Sequence, residues 1–198
     1  RIKLIRNNSN KGLNYTLNHC LEHVKGDYIA RMDGDDVSLP TRLEKEVLFL
    51  DKHPKYSIVS SPMIYFDENG VFASDKAIAE PQARDYIKRT PFNHAPCMVR
   101  KKAYDTVNGY SLNKKTSRVE DYDLWYRMYL HGFYGYNLNE PLYKMRDDRK
   151  AYSRRKYRYR LNEAYVKWNI FRDFKLPLSS LLYIFRPLIV GMLPIWLY

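Results

Sequence analysis

Apolar residues recur along the chain with two periods. Leu13, Leu17, Cys20, Leu21 and Val24 fall at i, i+4, i+7, i+8 and i+11, one helical face, and Gly26 stops the run. The short apolar segment Tyr28-Ile29-Ala30-Arg31-Met32 predicts a buried strand leading straight into Asp33-Gly34-Asp35-Asp36. Pro40 opens a second helix, with Leu43, Val47, Leu48 and Leu50 as its apolar side. Residues 57–60 and 63–66 read as strands, the latter closing at the turn Asp67-Glu68-Asn69-Gly70. A helix is expected over 82–89, a strand over 97–100, and a helix over 120–130 with acids in its first turn. Alternating strands and helices predict an α/β domain, not a bundle or a sandwich.

The pattern changes near the end. Residues 176–198 are apolar and aromatic but interrupted by Pro177, Arg186, Pro187 and Pro194. A spanning helix needs about 20 apolar residues without such breaks, so a membrane-lying helical hairpin is expected, with a helix docked on the core as the plainer reading. The preceding stretch, 142–160, holds nine Lys or Arg against two Asp, with four tyrosines between them. Basic charge beside an apolar tail suits an anionic membrane surface. A division follows at 1–150, the sheet domain, and 151–198, a basic helix with an interfacial tail.

Composition narrows the partners. The formal net charge of +12 calls for a polyanion: nucleic acid, an anionic bilayer or a diphosphate ligand. No nucleic-acid recognition motif accompanies it, so nucleic acid is not the expected partner. Cys20 and Cys97 are the two cysteines and form no CxxC pair, which suggests reduced thiols in a cytosolic setting, without a disulfide framework or a zinc site. The chain opens at Arg1 on what reads as a strand already in progress, so an N-terminal piece is expected to be missing.

Two acidic centres carry the candidate chemistry. Asp33, Asp35 and Asp36 crowd the end of a strand, where ligands gather in doubly wound sheets. Three carboxylates that close repel unless a cation compensates them, and hard oxygen ligands favour Mg²⁺ or Mn²⁺. An acidic turn capping the next helix is the alternative. Glu120-Asp121 opens a helix and could accept a proton from a hydroxyl, or could simply complement the helix dipole. His94 has no Ser or Cys partner nearby, which disfavours a covalent triad. Asn10-Lys11-Gly12 has one glycine only, which excludes P-loop and dinucleotide fingerprints.

In order along the chain, Asn10-Lys11-Gly12, Asn18, Gly26-Asp27-Tyr28-Ile29-Ala30-Arg31-Met32-Asp33-Gly34-Asp35-Asp36, Pro40-Thr41-Arg42-Leu43-Glu44, Asn93-His94, Gly109-Tyr110, Glu120-Asp121-Tyr122-Asp123-Leu124-Trp125 and Glu140-Pro141-Leu142-Tyr143 form a set. This set resembles the family 2 glycosyltransferases of the GT-A fold. The resemblance implies a Rossmann-like mixed sheet flanked by helices, with a membrane-associating tail. It implies transfer of a sugar with inversion from a nucleotide-diphosphate donor, most simply a UDP-sugar, to a glycan or lipid-linked acceptor. Asp33 and Asp35 would be the DxD pair for ribose and metal-bound diphosphate, with Asp36 in support. Asp121, beside Glu120, would be the general base. Asn10 and Gly12 would lie near the nucleotide, His94 near the sugar or acceptor, and Arg154 and Arg155 on the diphosphate. The enzyme would work on the inner face of a bacterial plasma membrane. The strand and helix that carry the family's acidic nucleobase pair would precede residue 1. A non-catalytic module of the same fold, scaffolding a membrane complex, is the alternative; retention of all the acids argues against it.

Overall fold

Helices and strands alternate from α1 (Leu13–Leu21) through β1 (Tyr28–Ala30), β2 (Val37–Ser38), α2 (Arg42–Lys52), β3 (Tyr56–Ser60), β4 (Met63–Asp67), β5 (Gly70–Ser74) and α3 (Ala83–Tyr86). They continue with β6 (Met98–Arg100), α4 (Lys101–Thr106), α5 (Glu120–Leu130), β7 (Tyr134–Asn137), β8 (Tyr143–Arg146), α6 (Tyr157–Asp173) and α7 (Leu181–Met192). This computed structural model describes residues 2–147 and 157–192. The strands form two mixed four-stranded sheets, ordered β1-β6-β3-β7 and β2-β8-β4-β5. In the first, β6 runs antiparallel to both β1 and β3, while β7 is parallel to β3.

β3 is buried from end to end because both faces of the first sheet are covered. Ile58 and its register partner Val99 face the main core, with Leu124, Trp125 and Met128 of α5 and Val166 and Ile170 of α6. Val59 and its partner Met98 point the other way, onto Leu50 of α2 and Tyr56. Ala164 of α6 and Ile184 of α7 join the main core, so the described part of 157–192 shares it with the sheet. Gly135 of β7 is required by close approach. A Cβ there would sit 2.4 Å from the Phe92 ring and 2.8 Å from Ile58 Cβ.

Several elements differ from the sequence expectation. α1 ends at Leu21, and Val24 lies in the following turn. β1 is three residues long and half-buried, not buried; Arg31 N–H still reaches Cys97 C=O before the chain leaves the sheet. α3 stops after one turn, where Lys88 and Arg89 N–H both fold back on Asp85 C=O. The largest departure is α2. Its fully buried positions are Arg42, Glu46 and Leu50, whereas Leu43 and Leu48 are about half exposed at 51% and 48%. The reason is polar: Arg42 Nη2 donates to Arg31 C=O (2.8 Å) and Cys97 C=O (3.2 Å), and Arg42 Nε donates to Glu46 (3.1 Å). The guanidinium thus satisfies carbonyls where β1 and β6 part, which an apolar side chain could not do.

Candidate active site

A cleft of about 1000 Å³ opens where β1 runs out of the sheet and α5 begins, large enough for a nucleotide sugar. Asp33 and Asp35 line it from the loop after β1, Glu120 and Asp121 from the start of α5, and Asn93 and His94 from the loop before β6. The two acidic clusters, distant in sequence, therefore share one cavity. A separate pit of about 120 Å³, lined by Asp75, Arg89 and Asn93, is too small for such a ligand.

The loop after β1 is held from below. Tyr143 of β8 accepts the Asp33 N–H through its hydroxyl at 3.0 Å, and Arg42 lies over the same ring at 5.1 Å. Arg31 is nine-tenths buried and donates from Nη2 to Asp33 Oδ1 at 2.6 Å. Its Nε is buried without a hydrogen-bond partner among the described residues, on the cleft wall. Asp36 turns away: its Oδ1 accepts the Arg146 N–H of β8 at 2.8 Å, and it is absent from the cleft lining. Asp36 therefore ties the loop to the second sheet instead of joining Asp33 and Asp35 as a third cation ligand. Among the described residues no group of three His, Cys, Asp or Glu side chains could hold a metal ion. Asp33 and Asp35 are the two carboxylates of this loop on the cleft wall, hard oxygen donors of the type a Mg²⁺- or Mn²⁺-type ion would take alongside phosphate oxygens and water.

Asp121 sits in the first turn of α5, where the nearby backbone N–H groups of that turn favour its ionised form. Burial, reinforced by the charge of Glu120, nevertheless pushes its pKa up to about 6, and Arg31 partly opposes this. α5 is fixed by Arg127, which pairs with buried Asp123 (2.7 Å) and donates to Val107 C=O and Gly109 C=O. His94 donates to or accepts from Tyr110 OH at 2.8 Å, and burial with nearby Arg31 holds its pKa well below the usual value, so the ring is neutral. Asn18 of α1 clamps the Tyr110 backbone with two hydrogen bonds, 2.7 and 2.8 Å. A buried polar ladder thus runs from α1 through Tyr110 to the cleft.

These features can be set beside known proteins. The family model described as "Glycosyl transferase family 2" matches residues 1–117. The chain belongs to glycosyl transferase family 2. The family 2 chain is 48% identical over 194 residues to EpsE of Bacillus subtilis (strain 168), named as a glycosyltransferase, covering 98% of this chain and 70% of that protein. It is 32% identical over 142 residues to the amylovoran biosynthesis glycosyltransferase AmsE of Erwinia amylovora, covering 69% of this chain and 51% of that protein. Among solved structures it resembles the mannosyltransferase PcManGT of Pyrobaculum calidifontis, solved with GDP-Man and Mn²⁺. That match has a TM-score of 0.56 at 15% identity, covering 96% of this chain and 50% of that one. The fold is therefore GT-A, and the chain spans half to seven-tenths of the length of these proteins.

Of the residues singled out from the sequence, Asp33, Asp35, His94, Glu120 and Asp121 meet in the cleft. Asn10 and Gly12 are exposed at the start of α1, where Asn10 Oδ1 accepts the Gly12 N–H at 3.1 Å. Neither lines the cleft, although the adjacent Leu13 does. Arg154 and Arg155 lie outside the described residues. Arg31, Arg42 and Tyr143 entered only as members of the motif set, without a role, and Arg118 and Glu46 not at all. One signal was available for the first of these, an arginine inside an otherwise apolar strand segment.

Proposed function

We propose that the complete protein transfers a sugar, with inversion, from a nucleotide-diphosphate donor to a glycan or lipid-linked acceptor in bacterial surface-polysaccharide synthesis. A UDP-sugar is the first donor to test, and GDP-sugars the second. The carrying observation is that Asp33 and Asp35 share one cleft with Asp121. A divalent cation held by Asp33 and Asp35 would supply charge neutralisation to the leaving diphosphate. Arg31 orients Asp33 through its 2.6 Å contact, and Tyr143 fixes the backbone of that residue. Asp121 takes the proton from the acceptor hydroxyl as that oxygen attacks the anomeric carbon; the diphosphate leaves with the bonding electrons. Burial, and after it the charge of Glu120, keeps that carboxyl basic enough to accept the proton. His94, neutral and tethered to Tyr110, serves as a hydrogen-bond partner for a sugar hydroxyl, and Arg154 and Arg155 serve the diphosphate. Asn10 and Gly12, outside the cleft lining but next to Leu13, are assigned to the nucleotide.

The reading extends to an anionic membrane on the cytoplasmic side. α7 exposes Leu182, Phe185, Ile189 and Met192 at i, i+3, i+7 and i+10, an apolar stripe facing away from the core. No described helix is long and apolar enough to cross a membrane, so contact along the surface is the arrangement these residues suit.

The test uses the full-length protein with a UDP- and GDP-sugar panel and Mn²⁺ or Mg²⁺. Asp35→Ala and Asp121→Asn are each expected to lower turnover by about 10²-fold or more. Wild-type turnover in both variants would remove the assignment.

A further inference from the structure

The wall of the cleft beyond Asp121 is basic, and nothing in the reaction described so far uses it. Arg118, three residues before Asp121, lines the cleft together with Tyr159, Arg160 and Glu163 of α6. Arg118 holds a left-handed backbone, φ 66°, which a non-glycine residue adopts only when its surroundings impose it. The surroundings here are explicit. Asn162 of α6 donates to Ser117 C=O at 2.8 Å, and Lys115 Nζ lies over the Tyr165 ring at 5.1 Å, so α6 grips the loop that carries Arg118. The Arg118 guanidinium then lies 6.0 Å from the Tyr159 ring centroid, and Arg158 lies 4.9 Å from the same ring.

These cations are poorly compensated. Arg118 and Arg158 have no carboxylate ion-pair partner among the described residues, and both are exposed. Among the described residues Arg160 pairs only with Glu163, at 3.6 Å, and Glu163 is also held by the buried Lys167 at 3.0 Å. A guanidinium cluster presented on a constrained loop and an aromatic ring is the arrangement that recognises phosphate oxygens. Its place matters as much as its charge. The donor's cation would sit with Asp33 and Asp35, whereas Arg118 stands three residues from Asp121 on the wall of the same cleft. Gly191 of α7 packs on Arg160 and Tyr157, so the cluster also adjoins the end of the helix with the exposed apolar stripe.

We propose that Arg118, Arg160 and Tyr159 form an anion subsite for the phosphate that joins the acceptor sugar to a lipid carrier. This rests on the reading of Asp121 as the base only for its orientation toward the acceptor. The subsite selects acceptors with a phosphate or diphosphate next to the reacting sugar and leaves neutral glycans weakly bound.

The experiment measures binding of the full-length protein to phosphatidylcholine vesicles carrying a polyprenyl diphosphate, the uncharged polyprenol, or phosphatidylglycerol at matched surface charge. Wild type is expected to favour the diphosphate vesicles over both others by about tenfold, the ratio of one charge-assisted contact. Arg118→Gly, which suits the left-handed backbone and so preserves the fold, is expected to lose that preference, and Arg118→Lys to keep part of it. Equal binding to phosphatidylglycerol would reassign the cluster to bilayer headgroups and overturn the proposal. So would an Arg118→Gly protein with undiminished preference. Binding needs no turnover, so Asp121→Asn should retain the preference; a failure of the transferase reading and a failure of this subsite are therefore read from different variants.

Discussion

At the scale of single residues, the proposed chemistry turns on two adjacent carboxyls with different surroundings. Asp121 is pushed up to about 6 by burial first and by Glu120 second. As a proton acceptor it must be ionised, so kcat/KM should rise with pH and level off above about 6. Removing the neighbouring charge favours the ionised form, so Glu120→Gln should move this acid limb to lower pH. A pH–rate profile of both proteins checks the direction, and an unmoved or raised limb would detach Glu120 from the base. The tyrosines around the site have no such role. Burial pushes Tyr104, Tyr110 and Tyr143 upward, so they remain neutral hydroxyls that hold His94 and the loop after β1.

At the scale of elements, α2 marks where sequence patterning stops being sufficient. α5 was legible to the residue because its acids, Leu124, Trp125 and Met128 agree with one another about where a helix begins and which side is buried. In α2, Leu43 and Leu48 misdirect, although Leu50 is buried as expected. Arg42 and Glu46 turn inward because two carbonyls at the parting of β1 and β6 need donors, a demand invisible without the sheet. β5 was not anticipated for the opposite reason: it is an edge strand exposed throughout, so burial imposes no alternation on it. In the cleft, the acids were legible as a dense cluster, but the orientation of Asp36 depends on pairing with β8, 110 residues away. Glu46 gives α2 a thermodynamic signature. It is fully buried, and desolvation raises it from 4.5 to about 7 despite Arg42. Between these values the folded protein holds a proton that the unfolded chain has released. The stability contributed by this group is therefore greatest below about pH 4.5 and is lost as pH rises through about 7, by on the order of 3 kcal/mol. Glu46→Gln cannot ionise and should lack this loss. Urea unfolding of both proteins at pH 5 and pH 8 should show the variant gaining relative to wild type at the higher pH, and parallel curves would refute it.

At the scale of the whole molecule, the proposed membrane contact raises the question of which surface would make it. The buried side of α7, Ile184 and Pro187, is committed to the core, and α6 supplies much of the packing. Its other side leaves Leu182, Phe185, Ile189 and Met192 between 54% and 75% exposed, with Leu178 at 77% one turn earlier. Four large apolar side chains on one stripe are more than scattered surface exposure, and each is worth roughly 1.5–3 kcal/mol if moved fully out of water. Charge of the same sense as an anionic leaflet's counterions lies nearby, in Arg186 of α7 and the basic start of α6. Partition should therefore depend on both terms. Leu182→Glu with Ile189→Glu should release the full-length protein from vesicles containing phosphatidylglycerol, while its melting temperature changes little, since neither side chain is buried. Salt should weaken wild-type binding without abolishing it, because the apolar stripe is not screened. Sedimentation of the variant with vesicles at wild-type yield would assign the stripe to a protein neighbour, and full release of the wild type by salt would leave electrostatics alone as the attachment.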